Sequence, residues 1–462
     1  MMDFVNALSD LLWTYVVIVL LVGCALYFTI RLRAVQFTRI GEMVRLLTST
    51  NRTKEGQEGK HVSSFQAFVV SLGSRVGTGN LAGVASAIFV GGPGAIFWMW
   101  VMALFGAATA CMESTLAQLY KRRGEGSFYG GPAYYMQYGL HRKWMGMLFA
   151  VFIIFGFGIA NQLVQSNTLC EALSVAFHVD IHWVSIVLAA FTLVIVFGGI
   201  HRIARFTAVV VPFMAIGYIL LAIYILAVNV EKIPDMFMLI VRSAFGKEQA
   251  FGGLVGTAIM MGVRRGLFSN EAGEGSTPNA AATATISHPV KQGMIQSLGV
   301  FVDTLVICSC TAFIILLSGV YTDGSDGIIL TNHAMEYHLG SMGIWYLTIA
   351  ITLFAYSTII GNYFYGEVNL RFLTKNRWPL TVFRIITGGL VILSCEMTLQ
   401  QAWGVVDLAM AFMTILNLVA VILLSRWAFR LMDDYRKQRK EGRDPEFHRE
   451  QFPEIEDDLE AW

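Results

Sequence analysis

Apolar runs of about 20 residues recur along the whole of this 462-residue chain, separated by short polar stretches. Each run is long enough to cross roughly 30 Å of hydrocarbon as a helix. The pattern predicts eleven spans, at 11–30, 64–90, 94–120, 145–168, 183–200, 206–229, 251–286, 291–319, 341–367, 378–398 and 403–425. The expected fold class is therefore an all-α polytopic membrane protein, one transmembrane unit over 1–462 with a charged tail at 426–462 that reads as disordered or peripheral. Between the first two spans, Ile40, Met43, Val44 and Leu47 recur at helical spacing against Arg39, Glu42 and Arg45, as in a helix lying on the inner membrane surface or, equally, in a plain connecting loop.

Two spans break the pattern. The second contains "SRVGTGNLAGVAS" from residue 74 and the seventh contains "RRGLFSNEAGEGS" from residue 264, dense in glycine and polar groups. The windows 75–86 and 265–276 align without gaps and share Arg75/Arg265, Asn80/Asn270, Ala82/Ala272, Gly83/Gly273 and Ser86/Ser276. Composition alone would give about one identity. With five spans from one cluster to the other, units 64–229 and 251–425 insert with opposite orientation, leaving 11–30 as an extra N-terminal helix. That is the inverted-repeat pattern of secondary transporters, whose paired broken helices meet near mid-membrane.

Hydrogen-bond accounting gives the breaks a purpose. A continuous helix satisfies its own backbone, whereas a break frees N–H groups suited to a carboxylate and carbonyls suited to a cation. Gly77 and Gly79 permit the turn, and Thr78 and Asn80 add polar side chains. Isolated glycines of this kind also serve as packing notches between membrane helices; two matched polar breaks favour a site.

At these residues the chain resembles a known family. "GTGNLAGVASAIFVGGPGAIFWMW", "RRGLFSNEAGEGSTPNAAATA" and "AYSTIIGNYFYGE" are similar to the alanine or glycine:sodium symporters of bacteria, over essentially the whole chain from the second span on. "GSRVGTGN" more distantly resembles the unwound first core helix of the neurotransmitter:sodium symporters. The resemblance implies a five-plus-five inverted repeat that imports a small neutral amino acid with sodium as coupling ion and no other cofactor. By the same likeness, N–H groups around Thr78 and Gly79 would bind the substrate carboxylate, with Gly77 and Asn80 beside them. Carbonyls of Gly73 and Val76 and hydroxyls of Ser357 and Thr358 would hold sodium. The two hydroxyls could instead bond back to their own helix. Ser269 and the carbonyls of "LFSN", with Phe268, Asn270 and Gly273 around them, would face the ammonium, as would Gln162, which reads equally well as an interhelical partner. Asn362 stands one turn beyond Thr358 where some members carry a bulky aromatic, so glutamine or serine stands beside alanine and glycine as a substrate.

Charge then orients the chain. With the N-terminus outside, 26 of the 33 Lys and Arg fall on the inner side, which predicts a C-terminus in the cytoplasm of a bacterium and insertion in its inner membrane. "MMDFVNALSD" lacks a basic leader region, so the first span reads as retained. Arg75, Arg264, Arg265, Glu113, Glu271, Glu274 and Asp303 fall at membrane depth, where Glu271 and Glu274 are expected to pair with Arg75 or Arg265, or one carboxylate to carry a coupling proton. The six cysteines contain no Cys-x-x-Cys and read as packing residues. All nine histidines lie outside the spans or at their ends, and no P-loop, H-E-x-x-H or G-x-S-x-G occurs, which argues against an enzyme or ATPase and leaves a channel or a sensor as the rival classes. No catalytic residue and no nucleic-acid partner is expected, and a monomer in the lipid bilayer is.

Overall fold

The structure is a computed structural model that describes residues 2–48, 62–124, 127–246, 255–396 and 399–462. It is helical apart from a short antiparallel hairpin, Arg122–Gly124 with Ser127–Tyr129. Among the described residues, eight helices are long and apolar enough to cross a membrane: Ala7–Arg31, Gly94–Leu119, Lys143–Ser174, Gly199–Val228, Pro289–Ser318, Ser341–Leu373, Arg377–Glu396 and Trp403–Lys440. The three other expected spans differ for physical reasons. Those at 64–90 and 251–286 are interrupted where their glycines and polar residues fall, and Ile181–Val196 is a shorter apolar helix of 16 residues.

Local signals explain the element starts. Ser63 and Gln66 form a capping box in which each side chain accepts from the other's backbone N–H, at 3.1 and 3.0 Å, and this starts the helix Ser64–Arg75. Asp180 and Asn376 cap the helices Ile181–Val196 and Arg377–Leu393 in the same sense. The polarity is inside out. Along Gly199–Val228, Val209, Phe213, Ile216, Leu220 and Ile223 form an exposed stripe, while Arg75, Glu113, Glu271, Glu274 and Asp303 are buried. Water would penalise both choices; lipid outside and a polar interior favour both.

Among the described residues, four turns widen into π-helix: Trp13–Val17, Gly79–Gly83, Gly156–Asn161 and Phe301–Cys308. The last three lie in the elements that carry the site.

Two sequence expectations need correction. The tail does not stand apart: the last helix runs on to Lys440, and Phe447, Phe452, Ile455 and Leu459 beyond it are buried. The Trp462 indole donates to the carbonyl of Gln118 at 2.9 Å, its ring lies 4.4 Å from the Lys121 ammonium, and Glu460 pairs with Arg122 at 3.3 Å. Charge composition hid these alternating apolar anchors. Second, Arg264 and Arg265 reach Asp407, at 2.6 and 3.9 Å, and not Glu271 or Glu274. Of the two readings of 40–48, the helix is the one observed: Ile40–Thr48 is helical, with Met43 and Leu46 buried and Ile40 and Val44 exposed.

Trp462→Ala should remove an indole hydrogen bond and a cation–π contact, lowering stability by about 1–3 kcal/mol. A lowered thermal unfolding midpoint in detergent checks this; an unchanged midpoint would mean the tail contributes nothing to the fold.

Candidate ion and substrate site

The first broken helix ends its α-helical half at Arg75, turns through Val76–Thr78 and resumes through the π turn Gly79–Gly83 into Val84–Gly91. Glycine is required in this turn, because a β-carbon on Gly77 would lie 2.4 Å from the Thr358 hydroxyl and 3.0 Å from Gln165 Oε1. The long helix Ser341–Leu373 passes alongside and presents Ser357 and Thr358 to the freed carbonyls. Ser357 Oγ lies 3.1 Å from the Gly73 carbonyl oxygen, and Thr358 Oγ1 lies 3.0 Å from that oxygen and 3.3 Å from Val76 O. The four groups expected around sodium thus converge.

Both hydroxyls also stand close to Phe354 O on their own helix, at 2.9 and 3.1 Å. The two readings of these hydroxyls are therefore compatible: with their protons turned to Phe354 O, their lone pairs and the two carbonyls are free for a cation. An octahedral shell with bonds of about 2.4 Å has oxygen–oxygen edges of about 3.4 Å, a few tenths more than the spacings here.

The freed N–H groups are also engaged. Gly77 N donates to Asn80 Oδ1 at 2.9 Å, and Thr78 N donates to Gln165 Oε1 at 3.1 Å. Gln165 was not singled out from sequence. Its signal was available in "NQLVQ", which repeats glutamine at a three-residue spacing within an apolar span. Gln162, one turn earlier, is fully buried, and among the described residues neither of its amide atoms nor Thr78 Oγ1 has a hydrogen-bond partner.

Asn362 completes this face. A β-carbon on Gly158 would lie 3.8 Å from the Cα of Gly366, which marks the crossing of two helices. The contact of Phe157 with Tyr365 at 5.8 Å, and of both Thr358 and Gln165 with Gly77, shows that the helices run antiparallel. By that register Gln162 and Asn362 fall at the same level, each about one turn from the glycine crossing. Asn362 Oδ1 accepts from Ser74 at 3.2 Å, and its Nδ2 has no partner among the described residues.

The second broken helix runs Val255–Asn270, opens over 271–277 and resumes briefly at Pro278–Ala281. Phe268 packs over Gly79 and meets Trp403 at 4.7 Å between ring centres with the ring planes tilted by 56°, and Arg265 lies 4.6 Å over Trp403. Ser269 Oγ donates to Asp303 Oδ2 at 2.7 Å, while Asn80 Nδ2 donates to Asp303 Oδ1 at 2.7 Å and to Ser269 Oγ at 3.0 Å. Asp303 was seen in the sequence only as a buried charge, yet it ties the two broken helices together. Asn270 and Gly273 serve the turn itself: Asn270 caps Ala272 N and donates to Thr304, and Gly273, at φ 94°, donates to Glu113.

Comparison with known proteins gives the family. A sequence profile described as the sodium:alanine symporter family matches residues 1–449. The chain belongs to that family. It is 48% identical over 449 residues to the probable sodium/glutamine symporter GlnT of Bacillus subtilis strain 168, covering 96% of this chain and 93% of that one. To the amino-acid carrier protein AlsT of the same organism it is 47% identical over 460 residues, covering 100% and 97%. Among solved structures, a variant of the manganese transporter of Eremococcus coleocola matches with a TM-score of 0.53 at 13% identity, over 90% of this chain and 88% of that one, which shows a shared fold. As a member of the sodium:alanine symporter family, the chain is a multi-pass membrane protein of sodium-coupled amino-acid transport and not an enzyme.

Proposed function

We propose that this protein imports a small neutral amino acid with sodium by alternating access, and that glutamine is a substrate alongside alanine. The observation that carries the sodium site is the convergence of four oxygens, from Gly73, Val76, Ser357 and Thr358, at the break of the first helix. The amino-acid carboxylate takes the place of the Gln165 oxygen on Thr78 N, at the N-terminal end of the segment that begins at Gly79. The side chain then faces Gln162 and Asn362. Their unpartnered amide groups suit a carboxamide, which offers both a donor and an acceptor, better than they suit a methyl group.

With the N-terminus outside and the C-terminus in the cytoplasm, Phe268, Trp403 and the Arg265–Asp407 contact close the outer side of the site. Opening that layer admits sodium and substrate, and occupancy of both favours the inward-open state. We read the working unit as a monomer in the bacterial cytoplasmic membrane.

The test is uptake of radiolabelled glutamine, alanine, glycine and serine into proteoliposomes, with an inward sodium gradient, with potassium in place of sodium, and with the gradient collapsed. Accumulation of glutamine or alanine only with the gradient supports the reading. Flux indifferent to the gradient would support a channel, and binding without flux a sensor. Gln162→Ala should lower glutamine kcat/KM by about 10- to 100-fold relative to alanine, because one buried amide partner is lost. An equal loss for both substrates would move Gln162 out of the side-chain pocket.

A further inference from the structure

The break of the second helix gathers three carboxylates inside the protein, and donors are distributed among them unevenly. Glu271 is met by the hydroxyls of Ser74, Ser276, Thr277 and Tyr365, at 2.6 to 3.3 Å. Glu113 is met by the Gly273 N–H at 3.1 Å and the Asn417 amide at 2.7 Å. Glu274 is 0% exposed, and neither of its oxygens meets a donor among the described residues.

The charged groups that Glu274 faces are Glu271 on its own segment, Glu113 on Gly94–Leu119, Asp407 on the last helix and Arg75 on the first broken helix. The titratable hydroxyls nearby are Tyr365, which binds Glu271, and Tyr135, which binds Asn417. Arg75 directs Nε to Thr277 Oγ1 at 3.1 Å and Nη1 to the Gln296 carbonyl at 3.4 Å, and forms no ion pair with any of the three carboxylates. Three hydroxyl donors, with Ser74 a fourth when its one proton turns from Asn362 to Glu271, suit a negative charge on Glu271, and two N–H donors suit one on Glu113. A charge on Glu274 would have no donor, no paired cation and three acidic neighbours, Glu271, Glu113 and Asp407, whereas the neutral acid avoids all three costs. One buried hydroxyl without a partner among the described residues stands close by: Thr109 lies against Gly273, one turn before Glu113.

We propose that Glu274 is a proton-binding site of the transport cycle, whose proton leaves when sodium binds. The link runs through the first broken helix. Gly73 and Val76, whose carbonyls form the proposed sodium site, flank Ser74 and Arg75, and Ser74 in turn holds Glu271. Sodium adds a positive charge to an interior that otherwise has three carboxyl groups around one guanidinium. The step breaks one carboxylic O–H bond; the proton leaves to water, and the carboxylate that remains is matched by the arriving cation. Linkage makes the effect reciprocal, so protons weaken sodium binding as much as sodium weakens proton binding.

The protonation is tested without transport, by infrared difference spectra of the protein in lipid vesicles on exchanging potassium chloride for sodium chloride. The wild type should lose a carboxylic-acid C=O band on sodium addition. The band should be absent throughout in Glu274→Gln, shifted in Glu274→Asp and retained in Glu113→Gln. A band that persists in Glu274→Gln, or that sodium leaves unchanged in the wild type, overturns the proposal. The sodium linkage also rests on the symport reading and has its own readout in uptake. The sodium concentration for half-maximal uptake should rise by up to about tenfold per unit fall in pH in the wild type and stay flat in Glu274→Gln. Should uptake fail to depend on sodium while the band behaves as expected, the symport reading falls and the proton site stands.

Discussion

Thr358→Ala should raise the sodium concentration needed for half-maximal uptake by about 10- to 100-fold. Thr358 is the side chain that touches both freed carbonyls, Gly73 O at 3.0 Å and Val76 O at 3.3 Å, whereas Ser357 touches Gly73 O alone. A contact to a charged group contributes about 1.5–3 kcal/mol, which converts to that range in affinity. Ser357→Ala should therefore shift sodium dependence less. Because sodium and amino acid favour the same state, the amino-acid KM at fixed sodium should rise in parallel. Excess sodium should restore uptake, which it would not do for a misfolded protein, and Cys24→Ala, at a packed position on the N-terminal helix, should behave as wild type. Unchanged sodium dependence in Thr358→Ala would remove the ion from this position.

Asn362→Phe should separate the substrates, lowering glutamine kcat/KM by about 100-fold or more relative to alanine. The ring would occupy the space opposite Gln162 that a carboxamide needs, while an alanine methyl ends short of it. The broken helix should survive the change: Ser74 loses the Asn362 oxygen but keeps Glu271 Oε1 at 3.2 Å. Sodium dependence measured with alanine should stay within about threefold of wild type, since the Gly73–Thr358 contacts lie a full turn away. Equal losses for the two amino acids would place Asn362 outside the pocket.

The two breaks were legible in the sequence because glycine and polar clusters are costly in an apolar span and stand out there, whereas the four oxygens proposed for sodium came from the family resemblance and not from the pattern. Where each helix opens was not legible. The aligned windows break at different points, Val76–Thr78 in the first and 271–277 in the second, because side chains decide locally which freed N–H groups are met: Asn80 serves Gly77, and Asn270 serves Ala272. Gln165 and Asp303 were visible as polar residues, but a span that is apolar all round does not reveal which face meets the neighbouring helix. The tail was misread for the opposite reason. Its charges dominate the composition, while Phe447, Phe452 and Leu459 act through contacts with distant segments that no local pattern records.

The π turns at Gly79–Gly83, Gly156–Asn161 and Phe301–Cys308 each hold one residue more than an α-helical turn needs. Each is therefore tolerant of a deletion in a way the flanking helix is not. Removing a single residue from Phe301–Cys308 can close that turn to α-helix and keep Ser309–Ser318 in its present phase, whereas the same deletion two turns further on would rotate every later residue of that helix by about 100°. Length variation among related chains should accordingly concentrate at these three turns, and a loss there would shift Asn80, Gln162 or Asp303 by about 1.5 Å along its axis without unpacking the helix beyond.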